Sequence, residues 1–136
     1  MQTGFVRELQ AMLSGMEPAL DADPYVFVHA SVGDPAALAV EGLFATIVED
    51  EGLTVIARFD PEADHGAGPH FARITLQVHS ALEGVGLTAA VATGLAAEGI
   101  ACNVVAAFHH DHLFVPWDRR EDALAVLKQI SREVKN

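Results

Sequence analysis

The chain has 136 residues, of which 51% are hydrophobic and 20% are charged. This length and composition exclude a disordered chain and predict one compact unit or two very small subdomains. Nineteen acidic residues against eight basic ones give a net charge of −11, which argues against nucleic acid and anionic membranes as partners. No run approaches the roughly 20 apolar residues of a membrane span, and no signal-peptide pattern is present, so we expect a cytoplasmic protein.

The first half predicts one helix followed by strands. Apolar residues at helical spacing indicate an amphipathic helix over about residues 4–16. The aromatic and β-branched run 25–31 predicts a strand, and a loop with one helical turn follows it. Two further β-rich runs flank an acidic turn that ends at Gly52, which predicts a β-hairpin. The segment 60–69 is rich in turn residues and marks a candidate boundary.

The second half has clearer periodicity. Residues 71–79 alternate between apolar and polar side chains, which predicts a half-buried antiparallel strand. A helical stripe from Leu87 onward stops at Gly99. Residues 100–108 are apolar on nearly both faces, and we expect them to form a central strand. A hairpin partner and a closing amphipathic helix follow.

The two halves have similar patterns. Each contains a strand, a connection and a hairpin, and the order of elements predicts α+β ferredoxin-like subdomains with antiparallel sheets and helices on one face. We predict an N-terminal subdomain over residues 1–65, which includes the leading helix and is truncated, and a C-terminal subdomain over residues 66–136.

The turn between the alternating strand and the next helix is a candidate binding site. Gly84 and Gly86 bracket Val85, so backbone can approach a ligand closely. The amides of the first helical turn favour an anion such as a carboxylate. In this topology Asp111 comes near the same turn, where it could hold an amine. The alternative is that the glycines only allow a tight turn.

The segment from about residue 70 to 127 resembles the ACT domain, a βαββαβ module that binds amino acids and other small effectors. The motifs that carry the likeness are Gly-Val-Gly-Leu, Leu-Ala-Ala-Glu-Gly-Ile and Asp-His-Leu-Phe-Val-Pro. The segment is similar to the ACT variant in CASTOR-type arginine sensors and in small stand-alone bacterial ACT proteins. In the first half, residues 44–63 are similar to the companion domain that precedes the ACT domain in those proteins. Their sequence is Phe-Ala-Thr-Ile-Val-Glu-Asp-Glu-Gly-Leu-Thr-Val-Ile-Ala-Arg-Phe-Asp-Pro-Glu-Ala.

The resemblance implies a non-enzymatic regulatory protein, a homodimer, with an amino acid or related metabolite as ligand, an unidentified regulated partner and no cofactor. It implies ligand contacts from turn, strand-end and hairpin positions: Gly84, Val85, Gly86, Leu87, Ala107, Phe108 and Asp111. Gly84 stands where an arginine sensor of this type has an acidic residue, and Ala107 where it has a hydroxyl residue. The binding mode therefore carries over without arginine specificity.

The run His109-His110-Asp111-His112 raises a metal-binding alternative, because imidazole and carboxylate are good ligands for zinc and nickel. Neighbouring side chains on a strand point to opposite faces, however, which argues against a shared ion. We find no paired carboxylates, phosphate loop or activated nucleophile, and Cys102 is expected to be an inert core residue. The remaining alternative is a dimerising interaction scaffold with a vestigial pocket.

Overall fold

The computed structural model describes residues 4–63, 68–78 and 85–135. Its helices and strands, in chain order, are α1 (Gly4–Ser14), β1 (Ala19–Leu20), β2 (Tyr25–Ala30), β3 (Leu43–Glu49), β4 (Gly52–Arg58), β5 (Phe71–Leu76), α2 (Leu87–Ala97), β6 (Asn103–Ala106), β7 (Asp111–Pro116) and α3 (Arg120–Lys135). They form two compact units: residues 1–21 with 72–136, here called the helical unit, and residues 22–71, here called the strand unit.

In the helical unit the strands lie in the order β1-β5-β7-β6. The short strand β1 pairs antiparallel with β5, with Ala19 opposite Thr75. Two backbone hydrogen bonds extend this pairing, from the Gln77 N–H to the Met16 carbonyl (2.7 Å) and from the Asp21 N–H to the Arg73 carbonyl (2.9 Å). The N-terminal segment therefore supplies a strand, β1, that pairs with β5 from the second half of the chain.

The three helices of this unit pack on one another and on one face of its sheet. Alternate residues of β5 and β7 meet apolar side chains of all three helices in one continuous core: Leu13, Met16, Ala72, Ile74, Leu76, Leu87, Val91, Leu95, Ile100, Leu113, Val115, Ala123 and Leu127. The helices follow directly from the apolar spacing of the sequence, since α2 buries the predicted stripe Leu87, Val91 and Leu95.

Gly94 explains how α2 and α3 approach each other. A Cβ atom at this position would lie 2.7 Å from Cδ1 of Ile130 on α3. The absence of a side chain at Gly94 therefore lets Ile130 pack against the backbone of α2. The helix α2 ends at Ala97, and Gly99 two residues later has a left-handed φ of 69°, as expected for a glycine just past the end of a helix.

In the strand unit the strands lie in the order β3-β4-β2, and Tyr25 of β2 also pairs with Phe71. The strands β3 and β4 pair antiparallel, which confirms the predicted hairpin, and Gly52 opens β4 with a φ of 144° that favours glycine. The predicted helical turn is a 3₁₀ helix over Pro35–Leu38, and the Asp34 carboxylate caps it by accepting a hydrogen bond from the Ala36 N–H (3.0 Å). One face of its sheet carries a small buried cluster of Ala37, Leu53, Val55 and Ala57, and Tyr25, Val26 and Ile56 are buried as well.

The structure confirms the predicted α+β class with two ferredoxin-like arrangements, the first of them without its full helices. It differs from the predictions in one respect. Residues 100–108 do not form a central strand, because β7 folds back between β5 and β6 and leaves β6 at the end of the sheet, with Asn103 and Ala106 exposed. The leading helix α1 groups with the helical unit, since β1 pairs with β5, and the subdomain boundaries 1–65 and 66–136 stay a prediction.

The compact units divide the chain after residues 21 and 71. The sequence division that we predicted after residue 65 lies a few residues before the second of these points. Within the part of the chain that the structure describes, no helix combines the length and the apolar character needed to cross a lipid bilayer.

Candidate functional site

The candidate site lies at the end of the helical unit where β5 and β6 finish and β7 begins. The Thr75 hydroxyl, near the end of β5, lies 3.0 Å from Nδ1 of His112, near the start of β7. At the same end, Ala106 is the last residue of β6 and pairs with Asp111, the first residue of β7. Because α2 connects the ends of β5 to the start of β6, its first turn belongs to this end as well.

Strand alternation determines the face on which Asp111 lies. Leu113 and Val115 of β7 point into the core beneath the helices. Residues two apart on a strand share a face, so Asp111 lies on the helix side of the sheet. The carboxyl group and the first turn of α2 therefore occupy the same end and the same side of the unit.

The first turn of α2 offers backbone donors. The helix begins after Gly86, which has no side chain to cap the amides of that turn, and the Gly86 carbonyl accepts from the Ala90 N–H (2.9 Å). Leu87 is buried and anchors the turn in the core, whereas Val85 is 59% exposed. Helix N-termini of this kind favour an anion because their N–H groups are unpaired and the helix dipole is positive there.

Gly86 has a structural requirement of its own. Its φ is 101°, and a Cβ atom there would lie 2.9 Å from Cδ2 of Leu9 on α1. The side of Gly86 that a side chain would occupy is thus filled by α1. This geometry supports the alternative reading in which the glycine serves the turn, and it limits any ligand approach to the other sides of the residue.

The β6–β7 hairpin has a closed turn and an exposed aromatic side chain. The Ala107 N–H donates to the His110 carbonyl (3.0 Å), so this amide is used within the turn. Phe108 is 75% exposed and meets the His109 ring edge to face, with 5.1 Å between ring centroids. Among the described residues of the helical unit, the exposed large apolar side chains are Val85 and Phe108, and both are predicted ligand contacts.

Asp111 is half-buried, and this burial raises the pKa of its carboxyl group above the ordinary value of 3.8. Partial removal from water disfavours the ionised form. A carboxylate in such a position gains more from a bound ammonium group than a fully exposed one, because the ammonium replaces lost hydration.

His112 lies on the opposite face of β7, where it meets Thr75 and Arg73. Burial, together with the positive charges of Arg73 and His110, lowers the pKa of His112 below 6.5. Arg73 in turn forms an ion pair of 2.9 Å with Asp21. Sequence analysis did not assign Thr75 or Arg73 to the site. The signal was present, since both residues lie on the polar side of the alternating strand β5.

Two family models, both described as ACT domain, match residues 5–71 and 72–129 of the chain. A Vibrio cholerae protein of unknown function, described as a possible transport protein, is 41% identical; the match covers 90% of this chain and 94% of that one, with a TM-score of 0.79. The chain belongs to the ACT-domain family. This confirms the two tandem ACT domains that the sequence resemblance implied.

Two more distant solved structures share the ACT fold. A protein from Agrobacterium tumefaciens is 23% identical, with 80% of this chain and 84% of that chain covered and a TM-score of 0.65. The ligand-free regulatory subunit of aspartate kinase from Thermus thermophilus is 15% identical, with 83% and 95% covered and a TM-score of 0.58. No curated protein matches the chain. ACT domains are typically regulatory modules that bind small molecules, rather than catalytic ones.

The histidine run of this ACT protein does not gather as ligands of one ion. The ring centroids of His110 and His112 are 6.4 Å apart, as are those of His109 and His110. Among the described residues, no three histidine, cysteine or acidic side chains form a group that could hold a metal ion. Cys102 is half-buried, and burial raises the pKa of its thiol, which favours the unreactive protonated form.

Of the predicted ACT ligand contacts, the hairpin residues Ala107, Phe108 and Asp111 lie together at one tip. Val85, Gly86 and Leu87 lie at the start of α2, on the side of the sheet that carries Asp111. Gly84 lies outside the described residues.

Proposed function

We propose that this ACT protein is a non-enzymatic sensor that binds an amino acid or a related small metabolite at the end of the helical unit and reports that state to a regulated protein. The observation that carries the proposal is the half-buried Asp111 carboxyl, on the same side and end of the sheet as the first turn of α2. Val85, Gly86, Leu87, Ala107 and Phe108 are the other proposed contacts within the described chain.

The two ends of the proposed site have opposite electrical preferences. The amides of the first turn of α2 suit a carboxylate, and Asp111 suits an ammonium group. An α-amino acid carries both groups on one carbon, so it fits this pattern better than a simple anion or cation. The exposed side chains of Val85 and Phe108 can close over the apolar part of such a ligand.

Regulation by such a site requires no covalent chemistry. A ligand acts by binding one arrangement of the protein better than another, and the shift is limited by that difference in affinity. The likeness to CASTOR-type sensors extends to the binding mode in this proposal, whereas Gly84 and Ala107 argue against arginine itself. No cofactor has a role in it.

Thermal unfolding in the presence of each of the twenty amino acids tests the proposal. A ligand at 100 times its dissociation constant stabilises the folded state by about 2.7 kcal/mol, which gives a clear rise in melting temperature. We expect Asp111→Asn to abolish this rise while the variant stays folded. Asp118→Asn, which removes an exposed carboxyl group elsewhere in the unit, is the matched control and should keep the full rise.

The pH dependence of binding gives a second measurement. Protonation of Asp111 removes the charge that holds the ammonium group, and the raised pKa moves this loss to a higher pH than for an ordinary carboxyl. We therefore expect the affinity to fall on acidification before exposed carboxyl groups titrate. Unchanged binding by Asp111→Asn would refute the amine role of Asp111.

A dimerising scaffold is the second candidate, favoured by exposed apolar residues on the end strand β3. Leu43 is 37% exposed, Ile47 43% and Val48 74%, and an apolar end strand invites pairing with another chain. ACT domains often dimerise, and we propose a homodimer for this chain. A flat amino-acid panel at millimolar concentration, together with a dimer in sedimentation equilibrium, would favour the scaffold over the sensor.

A further inference from the structure

A cavity of about 330 Å³ opens at the surface of the helical unit, away from the residues of the proposed sensor site. It lies where the segment between α1 and β1 meets the end of β5 and the last two turns of α3. The polar residues that line it are Glu17, Gln77, Lys128, Ser131 and Arg132. Its volume is within the range of small-molecule sites, which starts near 300 Å³.

The charge of this cavity differs from that of the chain. The protein has a net charge of −11 and only eight basic residues, yet two of the eight, Lys128 and Arg132, line this cavity with one acidic residue, Glu17. Lys128 and Arg132 are four residues apart on α3, so they lie side by side on the same helix face. The lining therefore carries one net positive charge and attracts an anion within an otherwise acidic protein.

The wall that carries Glu17 is held in an unusual conformation. Glu17 has a φ of 42°, a left-handed conformation that costs a non-glycine residue of order 1–3 kcal/mol and persists where the surroundings fix it. The surroundings here are two hydrogen bonds: the Gln77 N–H donates to the Met16 carbonyl (2.7 Å), and the Ser131 hydroxyl donates to the Ser14 carbonyl (3.1 Å). These two hydrogen bonds hold the backbone next to Glu17 between β5 and α3, beside the cavity.

The hydrogen-bond donors that line the cavity are numerous enough to bind two carboxylate groups of a ligand. The Arg132 guanidinium has five N–H donors, and it places Nη2 3.0 Å from Oε1 of Gln129. Lys128 adds an ammonium group, and the Gln77 side chain adds an amide. Two cationic groups and one carboxylate on the protein complement two carboxylates and one ammonium group on a ligand.

We propose that this cavity is a separate binding site for a small acidic amino acid of the size of aspartate or glutamate. Lys128 and Arg132 hold its two carboxylates, and Glu17 holds its ammonium group. The net charge of −1 on such a ligand balances the net charge of +1 on the lining. The site is independent of Asp111 and stands even if the proposed sensor site binds nothing.

Isothermal titration calorimetry of the full chain with L-glutamate and L-aspartate tests this site. We expect saturable binding of at least one of them, weakened roughly ten-fold or more by Arg132→Gln or Lys128→Gln, because each substitution removes one charge-assisted interaction. Arg7→Gln, which removes an exposed arginine outside the lining, is the matched control and should bind as tightly as the parent.

Glu17→Gln provides the sharper measurement. We expect this substitution to weaken the binding of the amino acid. It should not weaken the binding of glutarate or succinate, the corresponding dicarboxylates without an ammonium group. Glutamine and asparagine, which lack the second carboxylate, should bind the parent roughly ten-fold more weakly than their acidic counterparts. A melting temperature close to that of the parent shows that each variant is folded.

Three results would overturn the proposal. The first is that neither acidic amino acid gives saturable heat at a concentration of about 50 mM. At that concentration a ligand with a dissociation constant of about 1 mM would occupy nearly every site. The second is an equal loss in Arg7→Gln and Arg132→Gln, which would indicate a general charge effect. The third is loss of acidic amino acid binding in Asp111→Asn, which would assign the ligand to the proposed sensor site instead. Retained binding in Asp111→Asn supports two separate sites.

Discussion

The helical unit and the strand unit differ in the size of the apolar cluster that each buries beneath its helical elements. Three helices cover one face of the sheet in the helical unit, above a continuous core. In the strand unit a single 3₁₀ turn stands over Leu53, Val55 and Ala57. Large apolar side chains also remain exposed there, among them Val32 (62%), Leu38 (64%) and Val48 (74%).

This difference shows what an ACT module needs for stability. A sheet buries its apolar face only if another layer covers it, and the helical unit completes both layers by using α1 and β1 from the start of the chain. The described residues of the strand unit, 22–63 and 68–71, contain no α-helix. We therefore expect most of the folding free energy to lie in the helical unit, which also provides the rigid frame for both proposed sites.

A matched pair of leucine truncations should give the largest effect. Leu127 on α3 is fully buried, and Leu127→Ala is expected to cost about 2–5 kcal/mol because it opens a cavity in a packed core. Leu53→Ala in the strand unit removes the same atoms from a cluster of only four buried residues and should cost about half as much or less, because fewer apolar partners surround the site. Urea unfolding of both variants measures the difference. Equal costs would contradict the unequal cores.

Two glycine substitutions should separate backbone strain from packing. Gly86→Ala places a Cβ at a φ of 101° and 2.9 Å from Leu9, whereas Gly33→Ala meets a φ of 83° with no atom within 4 Å. We expect roughly 1–3 kcal/mol of destabilisation for Gly86→Ala and about 1 kcal/mol for Gly33→Ala.

A Leu9→Ala background should reduce the cost of Gly86→Ala toward that of Gly33→Ala, because it removes the packing conflict and leaves only the backbone strain. The measurement is again urea unfolding, now as a double-mutant cycle. If the cost in this background is unchanged, the contact between α1 and Gly86 has no energetic role.

The smallest expected effect is a pH dependence of the free energy of unfolding that arises from one histidine in the helical unit. Burial, Arg73 and His110 lower the pKa of His112, so between the lowered value and the ordinary value of about 6.5 the unfolded chain binds more protons than the folded one. Stability is therefore full above about pH 6.5 and falls as the pH is lowered through this range.

His112→Asn removes the titrating ring and should flatten this fall. His29→Gln, a matched histidine substitution in the strand unit, should leave it in place. Unfolding midpoints measured in urea from neutral pH downward test both variants. An identical slope for His112→Asn and the parent would show that other groups carry the acid sensitivity.

The local sequence pattern was enough to predict most helices and strands, but it did not predict the position of each strand in the sheet. The alternation of β5 and the stripe of α2 gave correct strands, helices and buried faces, because a side chain on a regular element faces a direction set by its spacing. The apolar run that contains β6 predicted burial on two sides, yet β6 lies at the end of the sheet. Strand order depends on long-range pairing, which composition does not encode.

The site shows the same limit. Asp111 and the turn around Gly86 were identified from charge and glycine spacing together with family likeness. The contact of His112 with Thr75 was not predicted, because it depends on the register between two strands far apart in sequence. The two-residue strand β1 was not predicted, since Ala19 and Leu20 are too short a run to show any period.

The pairing of β1 with β5 also has a consequence for synthesis of the chain. The ribosome makes α1 and β1 before the strand unit, and their partner strand β5 emerges only after that unit has been translated. During that interval the apolar face of α1 has no partner to cover it. Pairing of β1 with β5 closes a long loop and is therefore slow, so we expect the nascent chain to need protection from aggregation until α3 has been made.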